Sequence, residues 1–171
     1  MRLAYFVLLL VLSPASANFV SQADAASFNT EVIPNAQPCT IPPGHPGRPA
    51  IQALQRVGPT AFAAEASWGV GYLPTITYSL TYFRLEPRIQ LFLSLHECGH
   101  LVLRTTNEFL ANCYAVTHAA WTGTDLDLIG RRHEAVGLLP PQYGGSGHAF
   151  WAGTQRTCPQ PFMQRRNLFV G

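Results

Sequence analysis

The chain has 171 residues, which is room for one domain and not comfortably for two. Its 11 basic residues are all arginine and stand against nine acidic residues, so the formal net charge is only +2. A charge this small and this scattered argues against nucleic acid or another polyanion as a partner. Charged residues make up 12% of the chain and hydrophobic residues 47%, which excludes intrinsic disorder and predicts a buried core.

The N-terminus has the three parts of a secretory signal peptide. Met1 and Arg2 supply positive charge, residues 3–12 form an apolar run, and the Ala-Ser-Ala sequence ending at Ala17 fits a signal-peptidase cleavage site. The apolar run is about half the roughly 20 residues needed to span a bilayer, and no later segment is long and apolar enough. The sequence therefore predicts a signal peptide at residues 1–17 and an exported protein, periplasmic or secreted, without stable membrane insertion.

Four cysteines, an even number in an exported chain, favour two disulfides. Of the three possible pairings, we favour Cys98–Cys113 as a local link and Cys39–Cys158 as a link between the chain ends. A zinc site of four thiolates is the competing interpretation, and the lack of any Cys-x-x-Cys pair argues against it.

Beyond the signal peptide, composition divides the chain into an arm and a domain. Residues 18–49 are rich in Pro, Gly, Ser and Asn and predict an extended arm, while residues 50–171 hold the elements of a domain. Apolar residues at helical spacing predict a short helix within residues 50–66, and β-branched and aromatic residues at 75–83 predict a strand. That strand suits either the interior of a sheet or an edge beside a cleft, where a peptide can add as a further strand.

The next segment predicts a helix that is apolar on nearly every face but contains three ionisable side chains. Pro87 suits the first turn of a helix, and the apolar run continues to Arg104. Within it, His96, Glu97 and His100 form an HExxH motif. Because burial of an ionisable group without a partner is costly, these three side chains need a common explanation.

The spacing of the motif supplies that explanation. Positions four apart lie one helical turn above each other, so His96 and His100 direct their imidazoles to one point, as two zinc ligands must. Glu97 lies about 100° round the helix, where it can take a proton from a water whose pKa zinc lowers to about 7. A chance HExxH in a chain of this composition is roughly a 1% event, and a pair of hydrogen-bonded core histidines is the competing interpretation. Gly99, in the middle of this helix, predicts a close backbone approach that offsets its low helix propensity.

A catalytic zinc ion needs a third protein ligand and one open position. Metzincin spacing would require a histidine where this chain has Thr106, which excludes that class. Glu108, Asp127 and His118 remain as candidates, and Glu108 is favoured because it begins a second helical stretch after a short turn. On that stretch, Asn112 lies one turn beyond Glu108, where it can orient a ligand histidine through a hydrogen bond.

An HExGH motif on one helix and a Glu-x-x-Ala-Asn motif on the next carry a family resemblance. Together they make residues 75–115 similar to the gluzincin-type zinc metallopeptidases, in particular to small exported bacterial forms. Many members have Asp at the position of Asn112. The asparagine of this chain can still accept a hydrogen bond from a histidine, but it adds no negative charge. The resemblance implies one Zn²⁺ ion with a ligand set of His96, His100 and Glu108, and Glu97 as the general base.

The signals beyond the second helix are weaker. An apolar stripe predicts a third helix near residues 124–136, with residues 131–134 on its solvated face. The Gly-rich segment 142–151 predicts a loop that reaches into a cleft, with His148 as the first candidate and Tyr143 as the second for donor to a tetrahedral oxyanion. A surface loop whose aromatic side chains cover the core is the competing interpretation.

Together these features predict an α+β fold with a compact zincin-like core, in which a small sheet packs on the HExxH helix. The predicted function is zinc-dependent hydrolysis of peptide bonds in a peptide or protein substrate. The main alternative is an exported zinc protein that does not cleave and acts as a structural or partner-binding module. A disulfide-linked module without metal is a third possibility. Substrate preference and oligomeric state stay open at the level of sequence.

Overall fold

The computed structural model describes residues 32–44, 49–68, 73–135, 139 and 141–159, and the structural statements below concern these residues. The predicted signal peptide lies outside them. Across the described residues, none of the helices combines the length and the apolar character needed to span a membrane.

Five short strands form two small sheets. An antiparallel pair contains β1 and β2, and a three-stranded sheet has the order β3-β5-β4, with β5 parallel to β3 and antiparallel to β4. The central strand β5 thus lies between the other two, and none of the described strands pairs with the outer edge of β4. The bounds are β1 Thr40–Ile41, β2 Ile51–Gln52, β3 Leu54–Val57, β4 Ala64–Ser67 and β5 Thr75–Tyr78.

The helix predicted within residues 50–66 is wrong, because this segment supplies β2, β3 and β4. Its apolar spacing spans less than three helical turns before Gly58 and Pro59. The segment instead satisfies its backbone by pairing β2 with β1, and β3 and β4 with β5. The strand predicted at 75–83 is confirmed for Thr75–Tyr78, after which the chain turns into a 3₁₀ helix at Tyr82–Arg84. The strand Thr75–Tyr78 is the central strand of its sheet, so of the two predicted positions it takes the interior one, and the edge beside the cleft belongs to β4.

Four α-helices complete the fold, and the HExxH helix is the longest of those described. The helix predicted from Pro87 to Arg104 is observed as α1, and the second and third predicted helices are observed as α2 and α3. Asn107 caps α2 by accepting hydrogen bonds from the backbone N–H groups of Phe109 and Leu110. The bounds are α1 Pro87–Leu103, α2 Glu108–Thr117, α3 Gly123–Ala135 and α4 Gly147–Thr157.

The loop predicted at residues 142–151 is wrong from Gly147 onward, where α4 begins. Ser146 supplies the start signal that the glycines obscured, since its hydroxyl accepts a hydrogen bond from the backbone N–H of Ala149. The predicted solvated face of α3 is also wrong at one position, because the His133 ring stacks on Trp151 of α4 at a centroid distance of 4.9 Å.

Helix α1 is buried because it packs between two apolar clusters. One cluster joins it to the sheet and includes Ile76, Tyr78 and Leu101, all fully buried. The other joins it to α2, α3 and α4 and includes Phe92 and Ile129. The predicted α+β fold with a small sheet against the HExxH helix is therefore confirmed.

The two disulfides are Cys39–Cys98 and Cys113–Cys158, so the favoured pairing of Cys98 with Cys113 and of Cys39 with Cys158 is wrong. Cys98 lies on the side of α1 that faces the sheet cluster, whereas Cys113 packs with the helix cluster, so the two thiols point to different cores. The segment predicted as an arm contributes Ile33, Cys39 and Ile41 to the sheet cluster. This described part of the arm therefore packs on the domain.

Gly99 marks a close approach between α1 and α2, as the sequence predicted. A Cβ atom at Gly99 would lie 2.9 Å from the Cβ of Tyr114 and 3.1 Å from the carbonyl oxygen of Ala111. Only a glycine lets the two helices pack this closely, and the two helices together carry the candidate site.

Candidate metal centre

Three side chains from α1 and α2 converge at the floor of a cleft. The Nε2 atoms of His96 and His100 lie 3.1 Å apart, and the Oε2 atom of Glu108 lies 3.0 Å from the first and 3.4 Å from the second. Helix α1 places the two imidazoles one turn apart, and the turn after it directs α2 so that its first residue reaches them. Within the described part of the chain, these three form a cluster that could hold a metal ion.

The opposite ring nitrogens fix how each imidazole is protonated. The Nδ1 atom of His96 lies 2.7 Å from the Oδ1 atom of Asn112, and the Nδ1 atom of His100 lies 2.8 Å from the carbonyl oxygen of Thr105. Both partners only accept, so each Nδ1 carries a proton and donates it. Each Nε2 atom therefore points toward the Glu108 carboxylate, to which it donates a hydrogen bond when protonated and beside which it offers a lone pair when not. Three such groups facing one point could hold a metal ion.

A buried hydrogen-bond chain holds His96. Asn112, whose Oδ1 atom faces the His96 ring, donates through Nδ2 to the Oγ1 atom of Thr154 at 2.8 Å. The Thr154 hydroxyl in turn donates to the carbonyl oxygen of Phe150 at 3.4 Å. Asn112 and Thr154 are fully buried, so no water competes for these groups. Asn112 therefore orients the His96 ring, and the role of His96 as a metal ligand stays a prediction.

The end of α1 holds His100 in the corresponding way. Arg104 adopts the left-handed conformation, with φ 49° and ψ 48°, and its backbone N–H bonds to the carbonyl oxygen of His100. This reversal turns the carbonyl of Thr105 back toward the His100 ring. The helix terminus thus serves as the second orienting partner of the cluster.

Glu97 is buried beside the cluster and does not belong to it. Its Oε2 atom accepts a hydrogen bond of 2.7 Å from the backbone N–H of Ala66 on β4. Burial raises the pKa of Glu97 above its usual range, against the opposing effects of the two histidines and the Ala66 N–H. Burial acts in the same direction on Glu108, but hydrogen bonds from His100 and His96 outweigh it and lower the pKa of Glu108 to about 2. The two carboxyl groups are therefore held differently, one as an anion and one as a group that can take up a proton.

The cleft above the cluster has a volume of about 610 Å³ and mostly apolar walls. The outer edge of β4 forms one wall. Ala66 turns its N–H away from β5 toward Glu97, and by the alternation of a strand Ala64 presents its backbone groups to the same side. Other walls come from residues of α1, α3 and α4 and from two exposed aromatic side chains next to β4: Phe92, His133, Phe150, Phe62 and Trp68.

Three of the residues considered from the sequence stand outside the cluster. His148 is exposed, does not line the cleft, and has its Nδ1 atom 3.1 Å from the Oε1 atom of Glu134. His118 and Asp127, the alternative third ligands, are not part of the three-residue cluster. The structure thus brings together His96, His100, Glu108, Glu97 and Asn112, and does not bring His148 to them.

Tyr143, the second oxyanion candidate, lies closer to the cleft than His148. Its ring contacts those of Phe109 and Phe150, of which Phe150 lines the cleft. Partial burial raises the pKa of Tyr143, and the negative charge of Glu108 adds to the rise. The tyrosine hydroxyl is therefore protonated at neutral pH and within the electrostatic reach of the cluster.

Sequence reasoning missed His133 as a cleft residue. Its Nδ1 atom lies 2.9 Å from the carbonyl oxygen of Ile129, and burial lowers the pKa of His133 to about 4. The ring is therefore neutral at physiological pH. A signal existed, because His133 continues the helical spacing of Leu126 and Ile129 on the buried side of α3.

A scan against protein-family models, a search of curated proteins and a search of solved structures each returned no match to this chain.

Proposed function

We propose that this chain is a zinc-dependent metallopeptidase of the gluzincin type. The observation that carries the proposal is the convergence of two Nε2 atoms and one carboxylate oxygen, with each histidine held by an acceptor at its Nδ1 atom. In a tetrahedral zinc site with bonds of about 2.0–2.1 Å, ligand atoms lie about 3.3 Å apart. The observed separations of 3.0, 3.1 and 3.4 Å agree with that value.

His96, His100 and Glu108 would hold a zinc ion through three protein ligands, the number found in catalytic zinc sites. A zinc ion bound there would supply a Lewis acid that lowers the pKa of water to about 7 and polarises a substrate carbonyl. The buried carboxyl group of Glu97 lies in the cleft, and a hydrogen bond from the Ala66 N–H holds its Oε2 atom in place. The Oε1 atom of Glu97 is left to accept the proton of the attacking water and to deliver it to the leaving nitrogen as the C–N bond breaks.

The outer edge of β4 supports a peptide as the substrate. An extended peptide could pair with the outward backbone groups of Ala64 and with the outward carbonyl of Ala66, whose N–H is bonded to Glu97, and it would then lie beside the cluster. The exposed rings of Phe62 and Trp68 beside this edge favour apolar side chains in the peptide.

The test combines metal content with activity. Purified protein without its first 17 residues should contain one zinc ion per chain, and Glu108→Ala should lower that content. On a broad peptide library, Glu97→Gln should abolish hydrolysis and retain zinc, since glutamine can still accept the hydrogen bond from Ala66. Glu134→Gln, at an exposed carboxylate outside the cleft, is the matched control and should cleave like the parent protein.

A chain that binds zinc but leaves every peptide intact, with or without Glu97→Gln, would refute the peptidase and leave the non-cleaving zinc protein. We further propose that the protein is exported, because two disulfides join all four cysteines.

A further inference from the structure

A second, smaller cavity of about 330 Å³ opens beside the cleft. Its lining residues are Trp68, Arg104, Thr105 and Thr106, and all of them except Arg104 also line the main cleft. The two cavities are therefore adjacent, and a substrate seated over the cluster would lie next to the smaller cavity.

The backbone at Arg104 makes the presence of a side chain there notable. The left-handed conformation, which brings the Thr105 carbonyl to His100, is the one that glycine adopts without steric cost. Glycine would therefore serve the helix terminus better than arginine. The presence of an arginine in this strained conformation suggests a role for its guanidinium group.

The guanidinium group is held in place, but its charge is not neutralised by the described residues. Its Cζ atom lies 5.4 Å from the centroid of the Trp68 ring. Gly44 also lies close to the group, because a Cβ atom added to this glycine would be 3.0 Å from the Nη2 atom of Arg104. Arg88 and Arg132 pair with Asp125 and Glu86, whereas no described carboxylate pairs with Arg104.

We propose that Arg104 and the neighbouring hydroxyl groups of Thr105 and Thr106 form a subsite for a carboxylate of the peptide substrate. A guanidinium group is a planar fork of donors that matches the two oxygens of a carboxylate, and the Trp68 ring limits its orientations. The carboxylate comes either from the C-terminus of the peptide or from an acidic side chain. This inference rests on the proposed peptidase function and adds the class of peptide that the site prefers.

The experiment compares matched peptides that differ in one charge. One pair has a free or an amidated C-terminus, and the other has Glu or Gln near the scissile bond. With zinc-loaded parent protein, kcat/KM should be about tenfold higher for the carboxylate member of one pair, and Arg104→Gln should abolish that preference. The pair that shows the preference identifies the source of the carboxylate.

Three further variants or conditions define the effect. Arg104→Lys keeps the charge and should retain part of the preference, and Arg84→Gln, at an exposed arginine outside both cavities, should retain all of it. Added salt should weaken the preference because the contact is exposed. All variants keep a non-glycine residue at position 104, so their zinc content should equal that of the parent.

A binding measurement separates this inference from the proposed function. Fluorescence anisotropy with the zinc-loaded Glu97→Gln variant should show tighter binding of the same carboxylate peptide, with the preference lost when Arg104→Gln is added. Charge-dependent binding without hydrolysis by the parent protein would support the subsite and refute the peptidase. Hydrolysis at equal rates for both members of each pair, or an equal loss for both in Arg104→Gln, would overturn the subsite.

Discussion

The hydrogen bond from Asn112 to Thr154 determines which way the asparagine amide faces. Because the Nδ2 atom donates to the Thr154 hydroxyl at 2.8 Å, the Oδ1 atom is left to accept from the His96 ring at 2.7 Å. An aspartate in the same place could bond to Thr154 only if the hydroxyl donated, which would cost its bond to Phe150. Asparagine and threonine therefore act as a pair, which accounts for an amide rather than a carboxylate at position 112.

Loss of the Thr154 hydroxyl should weaken metal binding. Thr154→Val keeps the shape of the side chain but leaves the Asn112 amide free to rotate, so zinc affinity should fall about tenfold or more, as measured by competition with a chelator. Thr154→Ser should restore it, and Thr157→Val, at an exposed threonine on the same helix, should bind zinc like the parent. Unchanged affinity in Thr154→Val would show that packing alone holds Asn112.

The Cys113–Cys158 disulfide should support the same hydrogen-bond chain. Cys113 follows Asn112 directly, and Cys158 lies one turn beyond Thr154, so the disulfide ties α2 to the end of α4. Replacing both cysteines with serine should lower the free energy of unfolding by about 4 kcal/mol and also reduce zinc affinity.

The matched control for this disulfide is the double serine variant of Cys39 and Cys98. The Cys39–Cys98 disulfide closes a loop of comparable length, so its loss should lower the free energy of unfolding by a similar amount. The zinc affinity of this variant should fall less, because the Cys39–Cys98 disulfide does not hold α2 against α4. Equal losses of zinc affinity in the two double variants would contradict a specific link between Cys113–Cys158 and Asn112.

Peptide mapping of the parent protein without reduction should recover both disulfide-linked pairs, Cys39–Cys98 and Cys113–Cys158.

Substitution of Gly99 should move α1 and α2 apart. The Cβ atom of Gly99→Ala would meet backbone atoms of Ala111, which cannot rotate away, so the free energy of unfolding should fall by about 1–3 kcal/mol in denaturant titrations of metal-free protein. Gly99→Ser should cost more, and both variants should bind zinc less tightly because Glu108 lies on α2. A neutral or stabilising Gly99→Ala would mean that the helices tolerate a larger separation.

His133 should make the fold sensitive to acid. Burial lowers the pKa of His133 from 6.5 to about 4, so between these values the unfolded chain binds a proton that the folded chain does not. The free energy of unfolding should therefore decrease as the pH falls from about 6.5 to about 4, by up to about 3 kcal/mol from this residue.

The variant His133→Phe isolates this contribution. Phenylalanine keeps the ring contacts with Trp151 and Phe92 but cannot be protonated. Denaturant titrations across this pH range should show a smaller loss of stability than in the parent, and parallel curves would assign the acid sensitivity to other groups.

The parts of the site that follow from one helix were predictable from the sequence. The positions of His96, Glu97 and His100 depend only on helix periodicity, and Glu108 required one further assumption, that a short turn folds α2 back on α1. The pairing of the cysteines depended on which face of α1 meets which core. No local pattern records that choice.

The other errors have two different physical origins. The residues of β3 and β4 carry few apolar side chains, and they become strands because β5 offers backbone partners on both sides. His148 was assigned to the cleft because glycines precede it, but Ser146 starts a helix that turns this side chain toward Glu134. Tertiary partners decided the first case, and a local helix cap at Ser146 decided the second.

The disulfide from Cys39 to Cys98 limits how the N-terminal region can be processed. Because Ile33 and Ile41 are packed in the core and Cys39 is covalently attached to the HExxH helix, a protease that matured this protein would have to cut ahead of Ile33. A cut just after Cys39 would leave the excised piece tethered to the helix, and activation by its release would then require a reductant.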